Sequence, residues 1–235
     1  MKGIVLAGGH GTRLMPLTKV TNKHLLPVGD KPMIYHPIEK LIAAGITEIM
    51  IVTGVEHMGD VVGLLGSGRD FGGEFTYRVQ DEAGGIAQAL ALARTFVGSD
   101  PMAVILGDNV FSDDIGPVVE RFRAQTAGAR LLLKRVPDPE RFGVAEIADG
   151  RIISIEEKPQ EPKSDYCVTG IYMYPSDVFE VVQTLAPSGR GELEISDVNA
   201  HYCREGILEY DMLEGWWTDA GTHPSWRRAN ELAWG

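Results

Sequence analysis

The first 112 residues alternate short apolar segments with segments of helical periodicity. Continuous apolar strands are expected at KGIVLA, EIMIVTG and MAVILGD, and an alternating strand at EFTYRVQ; the helices between them are expected over residues 33–44, 56–66 and 86–96. Apolar strands separated by helices are typical of a parallel sheet that is covered on both faces. The pattern therefore predicts an α/β fold whose ligands bind at the carboxyl ends of the strands.

The pattern loosens after residue 112. A helix is expected over 115–127, then a strand at ARLLLKRV, a hairpin turning at Asp149-Gly150, a strand at VTGIYMYP and helices over 178–185 and 195–205. ILEYDML and GWWTDAG are expected to complete the sheet, and a helix is expected over 222–234. No repeat or long linker separates the halves, so residues 1–235 are interpreted as one domain. Its second half, 113–235, is predicted to be a substrate-binding β-elaboration.

A glycine cluster, GGHGTR, follows the first strand. Glycines expose successive backbone N–H groups, which suits the close approach of a phosphate chain. The dinucleotide-binding fingerprint would need a third glycine at Leu14, and a P-loop would need Gly-Lys-Ser/Thr where Arg13-Leu14 stands. A plain glycine turn is the rival interpretation, but a phosphate loop of a third design is favoured. The missing glycine also disfavours a dehydrogenase.

The charge balance limits the class of partner. The formal net charge is −11, from 22 Lys+Arg against 33 Asp+Glu, so a nucleic-acid or anionic membrane surface is not expected. A small phosphorylated ligand is compatible with this balance if cations are concentrated locally and a divalent metal contributes. The candidate cations are Arg13, Lys23, Lys158 and Arg190.

Cysteine usage and hydropathy suggest a cytoplasmic location. Cys167 and Cys203 lack metal-ligand spacing and are expected to be buried free thiols. No apolar leader precedes the first strand, and no uncharged stretch approaches membrane-spanning length.

Two aspartates are candidates for a Mg²⁺ site. Asp108 follows an apolar strand in LGDN, directly before Asn109, and Asp219 stands at a strand end in GWWTDAGT. Mg²⁺ usually takes one or two protein carboxylates and shares the rest of its shell with water and phosphates. The alternative is that each aspartate is a helix N-cap.

Three further segments carry candidate ligand-binding groups. The amide of Gln80, with Gly84 and Gly85 after it, matches the imide edge of thymine or uracil. Glu157 and Lys158 in EEKP suit sugar hydroxyls and a phosphate, and Arg190 lies between glycines at a loop tip; solvated charges are the rival interpretation. No covalent nucleophile is evident, which is compatible with phosphoryl-type transfer.

Together these segments resemble the sugar nucleotidyltransferase family. The matching stretches run from end to end of the chain in the family's order: LAGGHGTRLMPLT, NKHLLPVGDKPMIYHPI, GGIAQAL, ILGDN, DPERFGV, EEKPQEPKSDYCVTGIY, GRGELEISDVN and WWTDAGTH. The resemblance implies a Rossmann-like fold with a mostly parallel sheet. It also implies an enzyme that joins a sugar 1-phosphate to a nucleoside triphosphate and releases pyrophosphate. Residues 1–112 would then bind the nucleotide, and residues 113–235 the sugar phosphate.

The resemblance also implies a role for each matching position. The implied catalytic residues are Arg13, Lys23 and Lys158, and the implied Mg²⁺ ligands are Asp108 and Asp219. The implied nucleotide-binding residues are Leu6, Ala7, Gly8, Gly9, Gly11, Thr12, Arg13, Lys23, Gln80, Gly85 and Asp108. The implied sugar-phosphate-binding residues are Asn109, Gly143, Glu157, Lys158, Val168, Arg190 and Trp217.

Within the family, the chain resembles the members that transfer a thymidylyl group from dTTP to glucose 1-phosphate. Uridylyl transfer from UTP, or transfer to another sugar 1-phosphate, stays open, because thymine and uracil share the edge that Gln80 would read. A non-catalytic sugar-nucleotide-binding module is disfavoured, because such a module has no need for the full set of charged residues. This set is Arg13, Lys23, Asp108, Asp219 and Lys158. Phe142 replaces a common Tyr, Ala220 replaces a common Thr, and DEAGG replaces a proline-containing stretch. Whether the chain forms a homo-oligomer is left open.

Overall fold

The computed structural model describes residues 1–235 as thirteen strands and eight helices. The strands are β1 (Lys2–Ala7), β2 (Pro27–Val28), β3 (Lys31–Pro32), β4 (Glu48–Gly54), β5 (Glu74–Gln80), β6 (Met102–Leu106), β7 (Asn109–Phe111), β8 (Ala129–Arg135), β9 (Gly143–Ala148), β10 (Arg151–Glu157), β11 (Tyr166–Tyr174), β12 (Leu208–Met212) and β13 (Trp217–Asp219). The helices are α1 (Tyr35–Ala43), α2 (Met58–Leu65), α3 (Ile86–Ala91), α4 (Arg94–Val97), α5 (Gly116–Ala124), α6 (Val178–Gln183), α7 (Ile195–Arg204) and α8 (His223–Trp234).

A nine-stranded sheet forms the centre of the molecule. Its four strands from the first half are parallel and lie in the order β5-β4-β1-β6, which confirms the predicted parallel sheet. The second half continues the same sheet: β11 pairs antiparallel with β6, β8 and β9, β10 pairs with β9, and β12 pairs parallel with β8. The carboxyl ends of β1, β4, β5 and β6 therefore meet at one edge.

Helices cover both faces of this sheet, as predicted. Successive side chains of β1 point to opposite faces: Ile4 and Leu6 join the apolar cluster under α3, α4, α6 and α7, whereas Val5 and Ala7 join the cluster under α1, α2 and α5. Burial on both faces explains why β1 is apolar at every position after Lys2 except for Gly3.

Two elements differ from the sequence-based expectation. The single helix expected over 86–96 is divided into α3 and α4, because the amides of Leu92 and Ala93 bond three residues back, to Ala89 and Leu90, in a tight turn. GWWTDAG does not extend the central sheet: β13 pairs antiparallel with β7 in a separate two-stranded sheet.

The hairpin turn forms at Asp149-Gly150, and both residues have positive φ, 49° and 73°, as a type I′ turn requires. Both cysteines are free; Cys167 is buried, but Cys203 is only half-buried. No helix combines the length and the apolar character needed to cross a membrane.

Candidate active site

A cavity of about 370 Å³ opens at the carboxyl edge of the parallel strands, between the two halves of the chain. Most of the predicted site residues line it together: Leu6, Gly8, Gly9, Arg13, Lys23, Gln80, Gly85, Asp108, Asn109, Gly143, Glu157, Lys158, Val168, Arg190, Trp217 and Asp219. Three do not line it: Ala7 is completely buried, and Gly11 and Thr12 lie further along the glycine loop. The cavity thus joins groups from segments that are distant in sequence.

The short sheet of β7 and β13 brings the two predicted metal ligands together. Asp219 pairs in register with Asn109, directly after Asp108, and the Ala220 amide donates to the Asp108 carbonyl over 2.7 Å. The alternative role of Asp219 as an N-cap is wrong, because Thr222 caps α8 in a capping box with Ser225.

Gly221 keeps open the space on which these carboxylates converge. A side-chain carbon at this position would lie 3.2 Å from Arg13 Nη2, 3.3 Å from Asp108 Oδ2 and 3.4 Å from Asp219 Oδ2. Two acidic oxygens and one guanidinium therefore surround a place that any larger residue would fill. This is a suitable cradle for a cation that also contacts phosphate.

Asp108 is held ionised by a cation from another loop. Lys23 Nζ lies 2.5 Å from Asp108 Oδ2, and both side chains are largely buried, with exposed fractions of 12% and 13%. Burial alone would raise the pKa of Asp108, but the Lys23 charge and hydrogen bonds from Lys23 and Asn109 hold it well below its usual value. Asp108 is thus a carboxylate at every physiological pH.

The pKa of Asp219 is shifted in the opposite direction, upward. Burial, and then the negative charge of Asp108, raise the pKa of Asp219 to about 6, against the lowering effect of nearby cations. The foremost of these cations is Arg141, whose Nη2 lies 3.2 Å from Asp219 Oδ1. An additional cation between the two carboxylates would relieve this repulsion.

The donor set fits Mg²⁺ and does not resemble a transition-metal site. No group of three or more His, Cys, Asp or Glu side chains is placed to hold a metal. Two carboxylates, with the rest of the shell left to phosphate and water oxygens, match the usual protein contribution to a magnesium site.

The Asn109 side chain is hydrogen-bonded to three protein groups. Its Oδ1 accepts from the Gly170 amide over 2.9 Å and from Trp217 Nε1 over 2.7 Å, while its Nδ2 donates to Asp108 Oδ1 over 3.2 Å. Asn109 is only 2% exposed. Its observed contacts therefore orient Asp108 and Trp217 at the cavity wall.

The amide of Gln80 lies beside the glycine loop. Its Oε1 would be 2.5 Å from a side-chain carbon at Gly8, so only glycine fits there without displacing Gln80. On the other side, Gln80 Nε2 donates to Gln88 Oε1 over 2.8 Å and to the Gly85 carbonyl over 3.3 Å.

The opposite end of the cavity presents carboxylates and cations. Ser196 Oγ donates to Glu157 Oε2 over 2.5 Å. Lys158 has a positive φ of 46°, which is uncommon outside glycine, and its amide donates to the Phe142 carbonyl over 2.9 Å. Phe142 packs edge-to-face against Trp217, with ring centroids 5.4 Å apart.

Arg190 is held by acidic neighbours. Its Nη2 lies 2.8 Å from both carboxylate oxygens of Glu194, which is 8% exposed, and 3.6 Å from Glu157 and Glu192. Glu194 therefore fixes the position of the Arg190 guanidinium before a phosphate binds.

Arg141, Ser196 and Gln88 were not predicted as site residues, although each hydrogen-bonds to a residue that was. Each lies inside a stretch that was singled out, namely DPERFGV, GRGELEISDVN and GGIAQAL. Their polar side chains were the available signal, but their partners, Asp219, Glu157 and Gln80, are 78, 39 and 8 residues away.

Comparisons with known proteins identify the family of the chain. The model of the family "Nucleotidyl transferase" matches residues 2–233. The chain is 47% identical over 233 residues to the glucose-1-phosphate thymidylyltransferase of Neisseria meningitidis serogroup A, covering 97% of this chain and 81% of that protein. It is 42% identical over 236 residues to the protein of the same name from Mycolicibacterium smegmatis, covering 99% and 82%.

Solved structures show the same fold. A Bacillus anthracis protein crystallised in complex with a sucrose is 65% identical and superposes with a TM-score of 0.96, covering 100% of this chain and 95% of that one. A UDP-glucose pyrophosphorylase complexed with UDP-glucose superposes with a TM-score of 0.85 at 24% identity, covering 98% and 97%, which shows a shared fold.

Proposed function

Because the chain belongs to the nucleotidyl transferase family, we propose that it transfers a thymidylyl group from dTTP to glucose 1-phosphate, forming dTDP-glucose and pyrophosphate. Relatives named glucose-1-phosphate thymidylyltransferase match nearly the whole chain at 42–47% identity. The observation that carries the proposal is the convergence of Arg13, Asp108 and Asp219 over Gly221, in the cavity that Gln80, Lys158 and Arg190 also line.

The first half supplies the nucleotide site. The Gly8–Arg13 loop and Lys23 hold the triphosphate, because exposed amides and two cations suit its charge. Leu6, Gln80 and Gly85 surround the base. The Gln80 Oε1 can accept a hydrogen bond from the N3–H on the imide edge of a pyrimidine.

The second half supplies the sugar-phosphate site. Glu157, Gly143 and Val168 line the pocket for the sugar ring, and Glu157 accepts hydrogen bonds from its hydroxyls. Lys158 and Arg190 bind the phosphate. They also offset the repulsion between two phosphate-bearing substrates that must approach each other.

The reaction is a direct displacement at the α-phosphorus of dTTP. A phosphate oxygen of glucose 1-phosphate attacks in line, its bond to the α-phosphorus forms as the bond to the β-phosphate oxygen breaks, and the bonding electrons leave with pyrophosphate. Arg13 and Lys23 neutralise charge that develops on the α-phosphoryl and leaving groups. No residue forms a covalent intermediate.

Mg²⁺ is the metal that the two carboxylates would hold. When bound by Asp108 and Asp219 it supplies positive charge to the phosphoryl oxygens. Lys23 and Arg141, which pair with these carboxylates in the structure, are then free to turn toward phosphate.

Pyrophosphate release across a panel of nucleoside triphosphates and sugar 1-phosphates tests the function. We expect the highest kcat/KM for dTTP with glucose 1-phosphate, in the presence of Mg²⁺. Faster turnover with UTP would identify a uridylyltransferase instead. Absence of release with every pair would contradict an enzymatic function and favour a binding module.

A further inference from the structure

The terminal amide of Gln80 has a defined orientation. Both hydrogens of its Nε2 are directed to acceptors, Gln88 Oε1 at 2.8 Å and the Gly85 carbonyl at 3.3 Å. No protein group donates to its Oε1, which lies on the Gly8 side of the cavity. Exchanging the nitrogen and the oxygen would place two acceptors, Gln80 Oε1 and Gln88 Oε1, against each other, so this flip is disfavoured.

Gln88 itself is oriented by the backbone. Its Oε1 accepts a second hydrogen bond, from the Gly84 amide over 3.0 Å, which identifies this atom as the amide oxygen. A side-chain carbon at Gly84 would lie within 2.4 Å of the Gln88 amide, so the glycine permits the contact. Gly84 is in turn anchored, because its carbonyl accepts from the Leu193 amide over 2.8 Å.

We infer that Gln88 is a specificity-positioning residue: by holding the Gln80 nitrogen, it presents the Gln80 oxygen to the base and so selects a pyrimidine with an N3–H donor. Thymine and uracil carry that donor, whereas cytosine has an acceptor at N3 and would pair only with a flipped amide. This role rests on the proposed function, because it takes Gln80 to contact the base. Gln88 contacts no substrate in this arrangement; it acts through Gln80.

A purely structural role is the competing explanation. Gln88 is the third residue of α3, and its bond to the Gly84 amide resembles a capping contact at the start of that helix. Loss of a cap would weaken the fold and reduce activity with every nucleotide to the same degree. Loss of amide orientation would change the ratio between nucleotides.

Two substitutions at this position separate these explanations. Gln88→Met keeps the length of the side chain and removes both amide groups, whereas Gln88→Glu keeps an oxygen that accepts from Gln80 and Gly84. For each variant, kcat/KM is measured with dTTP and dCTP, and binding of the two nucleotides with Mg²⁺ is measured by calorimetry. For Gln88→Met we expect the dCTP-to-dTTP ratio to rise about 10-fold, with dTTP affinity reduced. Gln88→Glu should restore the wild-type ratio.

Gln80→Ala distinguishes failure of this inference from failure of the proposed base site. If Gln80→Ala weakens dTTP binding but Gln88→Met leaves the nucleotide ratio unchanged, Gln88 is only a helix cap and the inference is overturned. If Gln80→Ala leaves dTTP binding unchanged, Gln80 does not contact the base; the proposed base site then fails, and the inference fails with it.

Discussion

The ammonium group of Lys23 lies 2.5 Å from the carboxylate of Asp108, although the two residues are 85 positions apart. This ion pair connects the loop after β1 with the end of β6, and both residues line the cavity. Each partner is costly to bury alone, since an uncompensated charge in the interior destabilises a protein far more than an exposed one.

Removing both partners should therefore destabilise the protein by less than the sum of the two single removals. We expect Lys23→Met and Asp108→Asn each to lower the free energy of unfolding by about 3 kcal/mol, and the double variant to lose less than the sum. Urea unfolding at pH 7.5 measures the cycle. Lys19→Met, which removes an exposed lysine from the same region, should change stability by less than about 0.5 kcal/mol. Strict additivity would show that the pair is not coupled.

The raised pKa of Asp219, about 6, gives stability a pH dependence. Because the folded protein favours the protonated form of Asp219, the charged carboxylate destabilises the fold. This destabilisation is absent below about pH 4, grows between pH 4 and pH 6, and is complete above pH 6. In EDTA, the free energy of unfolding of the Asp219→Asn variant should exceed that of the wild type by about 2 kcal/mol at pH 8. This difference should shrink toward pH 4. Denaturant unfolding at several pH values measures it. A gap that is independent of pH would contradict the assignment, and exposed Asp70→Asn is the control.

The Mg²⁺ requirement of the reaction should depend on the carboxylates of Asp108 and Asp219. EDTA is expected to abolish pyrophosphate release and Mg²⁺ to restore it. Asp219→Asn should raise the Mg²⁺ concentration for half-activation at least about 10-fold, because one of two protein ligands is lost. In wild type this concentration should also rise as the pH falls below 6, since protons then compete for Asp219. Equal Mg²⁺ requirements for Asp219→Asn and Asp70→Asn would exclude Asp219 as a ligand.

The bond from Ser196 to Glu157 offers a test of the sugar pocket with a matched control. Ser196→Ala removes the hydrogen bond to Glu157 Oε2, so only the contacts of Oε1 with Lys158 and Arg190 orient the carboxylate. KM for glucose 1-phosphate should rise about 10-fold while KM for dTTP stays within about 2-fold, because a lost bond to a charged group is worth roughly 1.5–3 kcal/mol. Ser154→Ala removes a similar bond, to Glu146, outside the cavity. If both variants raise KM for glucose 1-phosphate equally, Ser196 has no special role.

Much of the framework could be predicted from local sequence. Period-2 and period-3.6 hydrophobic patterns report burial within a few residues, so β1, β4 and β6 and most helices were found within a few residues of their ends. Because parallel strands share one carboxyl edge, the glycine loop, Gln80 and Asp108 could also be placed at one site.

Local sequence patterns identified the candidate groups of the site, namely a glycine loop, two aspartates, one amide and four cations. Of these, they placed the glycine loop, Gln80 and Asp108 at this edge. The partners of these groups follow from tertiary packing: the pairing of β13 with β7, and the contacts of Arg141 with Asp219, Ser196 with Glu157 and Gln88 with Gln80. The physical reason is that strand and helix patterns depend on short-range periodicity. A hydrogen bond between separate elements depends on how the closed chain packs, and local hydropathy carries no record of that packing.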